Sequence, residues 1–394
     1  MSQAPSDAAG GCTLLQGSTE FFPALIDAMA QARHDICFET YLFETAGQGQ
    51  AVAQALEAAA LRGIEVRVVI DGVGSRDISK EWLARWSRAG VKWRVFEPLG
   101  PGGIWFPTRW RRLHRKLCVV DQQVAFCGGI NILDDLYDPY TKAALNRPRL
   151  DYAVRLTGAW VPVIHATMAQ LWWRLEISRN LRARFIGAAL DAWREIEPPP
   201  TLQDRGEIKW VLRDNWRHRH SIVRSYLQAI GRARQEIWIA NAFFFPARRL
   251  RMALQKAAQR GVKVSLLLPG YYEYEVPYRA TRVIYRQLLA AGVEIHEYHA
   301  SYLHAKVAVI DGRWATVGSS NLDPLSLLMA REANLVIQQS AFASELRWRL
   351  EHAMNEGARP VQPGLERLPW WQKALDQMAY ALMRTLIFLT ARNY

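Results

Sequence analysis

The chain is short of three things, and each shortage narrows what it can be. Cysteine is scarce: its 394 residues contain four (Cys12, Cys37, Cys118 and Cys127) and no Cys-x-x-Cys pair. That excludes a dense disulfide framework and leads us to expect free thiols in a reduced, intracellular protein. Neither Cys nor His recurs at metal-ligand spacing, so no metal and no other cofactor is expected. Long apolar runs are also missing. Met1 to Gly11 has no basic segment leading into an apolar stretch, and so gives no sign of a signal peptide. No run reaches the roughly 18 uncharged residues that a spanning helix needs. The nearest candidate, in the C-terminal tail, is interrupted by Asp376 and Arg384. Acidic residues, finally, are outnumbered: 37 Asp+Glu stand against 50 Lys+Arg, giving a net charge of +13. Such a field favours anionic partners, whether nucleic acid or anionic lipid.

What is present describes a folded, two-part chain. Half of the residues are hydrophobic and 22% are charged, as in globular proteins, and the length suits two ordinary domains. Sixteen Trp is a large number. Beside arginines, Trp suits a lipid headgroup boundary, although it serves equally well to fill a core.

The sequence repeats itself. Leu113–Asn131 reads LHRKLCVVDQQVAFCGGIN and Leu303–Asn321 reads LHAKVAVIDGRWATVGSSN. His114 and His304, Lys116 and Lys306, Asp121 and Asp311, and Asn131 and Asn321 are thus related by one common offset. Upstream, each copy is preceded by the same series. A strand (His34–Tyr41; Gln235–Asn241) leads to a helix (Gly49–Leu61; Ala247–Arg260) and then to an apolar strand (within Arg62–Gly72; within Arg260–Gly270). Each half is therefore a β-α-β series around a buried sheet, and an α/β sandwich is expected. The boundary is expected near Glu195–Thr201, where three consecutive prolines make a stiff connector. The expected division is 1–195, 202–360, and an apolar, helix-like tail over 361–394.

In each motif, alternation along a strand puts His and Lys on one face, held at the end of a buried apolar run. A lone His-x-Lys is ordinarily a surface pair, but duplication with matched Gly and Asn argues for chemistry. A neutral His can attack phosphorus while a fixed ammonium offsets charge on the non-bridging oxygens. Two such sets supply a nucleophile, an acid and a two-lysine clamp, and the amides of Asn131 and Asn321 are placed to donate to the same oxygens. The lysines do the work that a metal would otherwise do.

At these residues the sequence resembles the phospholipase D superfamily, over roughly Leu14 to Gln339. The resemblance implies two homologous α-β-α sandwich domains in a pseudo-dimer with one shared active site. It also implies a two-step reaction through a phosphohistidine, with His114 as nucleophile and His304 as acid/base. His114, Lys116, Asp121, His304, Lys306 and Asp311 are the implied catalytic motifs, the two aspartates being expected to brace their halves. Asn131 and Asn321 are supporting residues. A carboxylate is expected behind each His: Glu332 after the second motif, and Asp151 as its first-half counterpart, with Asp134 and Asp135 as rivals. Glu39-Thr-Tyr-Leu-Phe43, Val69–Ser75, Cys127–Asn131 and Gly318–Ser326 resemble the bacterial cardiolipin synthases, and Ala240–Leu250 resembles their B-type subfamily.

That resemblance implies anionic phospholipid substrates, phosphatidylglycerol first and phosphatidylethanolamine as a possible second lipid. It also implies peripheral association with the cytoplasmic side of the cell membrane and no nucleic-acid partner. The usual paired N-terminal spans are absent, so attachment is expected to fall to Gly103–Arg112, Trp216–His220 or an interfacial helix after Pro369. A hydrolase or nuclease is the competing reading, because a basic, aromatic surface also serves phosphate contact and base stacking.

Overall fold

The structure, a computed structural model, describes residues 11–98, 111–138, 143–183, 185–195, 206–214, 218–271, 275–323, 330–361 and 369–391. Most of Gly103–Arg112, the triple proline, Trp216, Arg217 and Pro324–Ser326 lie outside the described residues. Contacts divide the chain into two units, Met1–Asp135 with Ala153–Gly206, and Leu136–Tyr152 with Glu207–Tyr394. The segment Leu136–Tyr152 therefore groups with the second half, although in sequence it precedes the triple proline.

The first unit holds a mixed sheet of β1 (Cys12–Gln16), β2 (Asp35–Thr40), β3 (Glu65–Asp71), β4 (Lys92–Phe96), β5 (Leu117–Val120), β6 (Val124–Gly128) and β7 (Tyr152–Thr157), in the order β1-β7-β6-β5-β2-β3-β4. β2, β3 and β4 run parallel, as the helical crossovers between them require, whereas β5, β6 and β7 are antiparallel neighbours. Helices α1 (Gly17–Ala30), α2 (Gly47–Leu61) and α3 (Lys80–Ala89) bury Phe21, Leu25, Leu56 and Trp86 with Phe38, Val68 and Ile70. Val69, between the last two, faces the other way and packs with Leu171 and Trp172 of α4 (Trp160–Arg182). A sheet covered on both faces explains the continuous apolar run Val68–Ile70 within β3. α5 (Ile186–Arg194) packs on α4.

The second unit repeats this plan with β8 (Ile208–Arg213), β9 (Glu236–Asn241), β10 (Lys263–Pro269), β11 (Glu294–Tyr298), β12 (Lys306–Ile310), β13 (Trp314–Gly318), β14 (Ala330–Ile337) and β15 (Ala358–Pro360), in the order β8-β14-β13-β12-β9-β10-β11-β15. α6 (Ser221–Arg232), α7 (Arg248–Gln259) and α8 (Glu275–Leu289) cover one face, and α9 (Ser340–Gly357) packs against β9, β11, β12 and β13. α10 (Trp370–Ala391) lies on α8. Asp376 of α10 is fully buried and meets Arg286, Arg282 and Arg279 of α8 at 3.3, 3.6 and 3.8 Å. Among the described residues, no helix is long and apolar enough to cross a membrane.

Candidate active site

In the second unit, all five residues of β12 are buried, which locks Lys306 at its first position. Just upstream, Leu303 pairs in parallel with Leu150, with His304 N donating to Leu150 O (2.9 Å) and Leu150 N to Tyr302 O (2.8 Å). This short ladder brings Asp151 beside His304. Asp151 Oδ2 lies 2.6 Å from His304 Nδ1 and 3.5 Å from Lys306 Nζ, while its Oδ1 accepts from Tyr152 N at 2.8 Å. Lys306 Nζ is also 2.8 Å from His304 Nδ1. With a carboxylate this close, Nδ1 carries the ring proton, and Lys306 donates instead to the His304 carbonyl oxygen. The ring nitrogen not held by Asp151 is Nε2.

Lys306 is wholly buried. Burial lowers its pKa, and the nearby Asp151 and Glu332 carboxylates offset only part of that. Glu332, also fully buried, accepts a hydrogen bond from Ser319 Oγ and stands opposite Arg213 in the β8–β14 register. Gly318 must be glycine here, because a Cβ would come within 2.3 Å of Asn334 Oδ1. Arg213 itself is 2% exposed and donates to Ala330 O; burial brings its pKa down to about 10. Sequence reading missed Arg213, whose one signal was a charge ending an apolar strand. Asn321 follows as a buried residue after Ser319 and Ser320.

In the first unit, Lys116 Nζ donates to His114 O at 2.8 Å and is 5% exposed. The His114 ring packs against Tyr41, with centroids 5.0 Å apart, and Tyr41 also receives the Lys116 ammonium at 5.3 Å. Tyr41 was quoted only as part of a family-like stretch, and its place against His114 was not legible. Asn131 is buried. Asp135 accepts from Ser18 N (3.0 Å) in the first turn of α1, and Asp134 lies against Gly47. Asp151 is thus placed against the histidine of the second motif, His304, where the sequence set it beside the first.

Asp121 and Asp311 do the same thing in each half. Asp121 accepts from the backbone N–H groups of Arg33, His34 and Asp35 at 2.8, 2.8 and 3.0 Å. Asp311 accepts from Arg234, Gln235 and Glu236 at 2.9, 2.8 and 3.0 Å. Each ties the end of the motif strand to the start of its neighbour.

Asp35, Cys37 and His165 present ligand-type atoms within 4.8 Å of one another. They are already joined, with His165 Nε2 at 3.1 Å and Cys37 Sγ at 3.7 Å from Asp35 Oδ2. Burial, and then Asp35, push the Cys37 thiol far above its usual range. All four cysteines are free.

With this geometry described, comparison with known proteins is informative. The family model described as "Cardiolipin synthase, PLD-like domain" matches twice, over residues 25–137 and 226–354. Cardiolipin synthase B of Escherichia coli is 37% identical over 375 residues, covering 94% of this chain and 87% of that protein. The chain belongs to the cardiolipin synthase family. Cardiolipin synthase B of Salmonella typhi is similar at 36% over the same span. Among solved structures, the phosphatidylserine synthase of Haemophilus influenzae shares the fold, with a TM-score of 0.70 over 95% of this chain and 94% of that one at 13% identity. The polyphosphate kinase of Porphyromonas gingivalis matches at 0.58, over 97% of this chain and 55% of that one. A cardiolipin synthase fold thus carries both His-Lys-Asp motifs of this sequence.

Proposed function

We propose that the protein is a cardiolipin synthase that moves a phosphatidyl group from one phosphatidylglycerol to the hydroxyl of another, through a phosphohistidine. His114 attacks the phosphorus of the donor. The bond from phosphorus to the glycerol oxygen breaks, and glycerol leaves with a proton from His304. His304 then takes the proton of the acceptor hydroxyl as its oxygen attacks phosphorus, and the phosphorus–nitrogen bond to His114 breaks. Lys116 and Lys306 offset charge on the phosphoryl oxygens, and Asn131 and Asn321 donate to them. Arg213 and Ser319 hold Glu332 within the second unit.

The observation that carries this reading is the Asp151–His304 pair at 2.6 Å beside a buried lysine. Such a pair fixes the ring tautomer and stabilises the imidazolium formed whenever His304 takes a proton. Phosphatidylethanolamine is a second candidate acceptor. The cytoplasmic face of the membrane is our proposed location, and peripheral attachment to a membrane surface is supported by α10. One face of this helix is docked through Asp376, while Trp371, Leu375, Met378 and Leu382 are exposed along another at helical spacing.

The test is turnover by purified protein on phosphatidylglycerol vesicles. Glycerol release with cardiolipin formation is expected. Phosphatidic acid as the sole product would mean a hydrolase, and DNA cleavage without lipid turnover a nuclease.

A further inference from the structure

α5 is built the wrong way round for a helix whose only contact is the rest of its own fold. It buries two alanines, Ala189 at 4% and Ala192 at 5%, and exposes its large side chains, Ile186 at 66%, Leu190 at 56% and Trp193 at 67%. The three exposed residues follow i, i+4, i+7 spacing and so form one stripe. Leu181, in the last turn of α4, and Phe185, at the start of α5, add to it with exposures of 54% and 64%. Apolar side chains of this size, clustered and more than half exposed, mark a contact surface and not ordinary scatter.

The charges around the stripe say what it contacts. From Arg174 to Glu195, the C-cap of α5, the chain carries five arginines against three carboxylates, Glu176, Asp191 and Glu195. Glu176 is already engaged by Arg94 and Arg179. A short amphipathic helix with Trp, Phe and aliphatic residues on one face, in a segment whose sequence is rich in arginine, fits the boundary between headgroups and acyl chains of an anionic bilayer. At nine residues α5 cannot span one. Its place in the repeat adds an independent point. α5 comes after α4, and α10 comes after α9 and β15, so each half has an added helix that exposes a Trp-bearing apolar stripe.

We propose that the α4–α5 corner is a membrane-insertion element of the first unit, taking the surface of an anionic phospholipid bilayer as its partner. This deepens the peripheral-membrane reading above and rests on it. Insertion puts Leu181, Phe185, Ile186, Leu190 and Trp193 at the boundary between headgroups and acyl chains.

The experiment uses the full chain and vesicles of equal parts phosphatidylglycerol and phosphatidylethanolamine. Flotation, cardiolipin formation on vesicles and in detergent mixed micelles, and light scattering are compared for the wild type, for the triple variant Ile186→Ser/Leu190→Ser/Trp193→Ser, and for Ala188→Ser as a control on the same helix. The triple variant is expected to partition to vesicles at least about tenfold more weakly. It should keep its mixed-micelle activity and thermal midpoint, and Ala188→Ser should match the wild type. Equal flotation of wild type and triple variant overturns the proposal while leaving membrane attachment intact. Dissociation of a wild-type dimer by the triple variant, with unchanged flotation, also overturns it and assigns the stripe to a second copy of the chain. A wild type that does not float at all removes this proposal and the peripheral reading together. Flotation that depends on α5 without any cardiolipin formed would instead leave α5 standing and sink the synthase reading.

Discussion

The two halves solve one structural problem with different chemistry. Where the first sheet carries Glu39 on β2 and Arg115 just before β5, the second carries Ala240 and Ala305 at the corresponding places. Arg115 and Glu39 form an ion pair of 2.9 Å with side chains 4% and 1% exposed, while both alanines are fully buried. Between β2 and α4 the first half sets Asp35, Cys37 and His165; between β9 and α9 the second sets Glu236, Trp238 and Arg347. There Arg347 Nε lies 2.6 Å from Glu236 and its guanidinium 5.2 Å from the Trp238 ring. What does not vary is the triple backbone clamp by Asp121 and Asp311. The strand-joining carboxylate is therefore the part of the frame that both halves need. The charged pairs around it are local solutions, with hydrophobic filling as an accepted substitute.

The largest effect is expected at Asp151, the carboxylate beside His304 Nδ1. Asp151→Asn keeps the size of the side chain but reverses what it offers His304 Nδ1. A fall in kcat of about a thousandfold or more is expected, by analogy with the loss of an orienting carboxylate behind a catalytic histidine. The thermal midpoint should hardly change. Steady-state kinetics on phosphatidylglycerol micelles checks this, and a variant with wild-type kcat would remove His304 from acid/base work.

Next comes the buried ion pair. Glu39→Ala leaves Arg115 buried without this carboxylate and should cost about 3–5 kcal/mol, whereas Glu39→Ala with Arg115→Ala copies the second half and should recover much of that loss. Denaturant titrations of the two single variants and the double variant give the coupling. Costs that simply add would mean that the second half is no guide to the first.

How far the sequence could foresee this differs between the frame and the site. The paired motifs, the β-α-β series and the sandwich were legible because buried strands and helices leave periodic patterns. The motif aspartates were legible as residues of the repeat, and the backbone N–H groups they meet come from the neighbouring strand's start. Asp151 was found as a residue but matched by proximity in sequence to the first half. Its partner is set by a two-residue ladder between Leu150 and Leu303, and such a ladder leaves no pattern. Arg213 and Tyr41 were missed for the same reason, because their meaning comes from register across strands. The exposed stripe of α5 was hidden by its sequence, since Ile, Ala, Leu and Trp at helical spacing normally describe a buried face.

The two clamps offer a smaller and more symmetrical test. Asp121→Ala and Asp311→Ala each remove an acceptor of three backbone hydrogen bonds, and each should cost about 2–3 kcal/mol. Similar losses in both, with catalysis per folded molecule retained, would confirm bracing; a folded but inactive variant would contradict it. Asp121 adds a pH dependence. Burial raises its pKa, but the three N–H donors more than offset that, so the net shift is downward. Its contribution is thus complete above the ordinary aspartate pKa and is lost only as pH falls through the lowered folded value. The stability gap between wild type and Asp121→Ala should therefore be flat around neutral pH and close only in acid.

The smallest expected effect sharpens the comparison at a single turn. After Asp121 and Asp311, both with φ of 51°, the chain continues into a second left-handed residue, Gln122 at φ 54° in one half and Gly312 at φ 59° in the other. A left-handed conformation costs a side-chain-bearing residue about 1–2 kcal/mol, and glycine escapes that cost while giving back part of the gain as extra freedom in the unfolded chain. Gln122→Gly makes the first turn like the second and should raise stability by no more than about 1 kcal/mol. The change should appear in the unfolding rate or midpoint and leave turnover untouched. A loss of stability would show that the Gln122 side chain makes contacts that Gly312 has no need of, and that the two turns are alike only in their backbone.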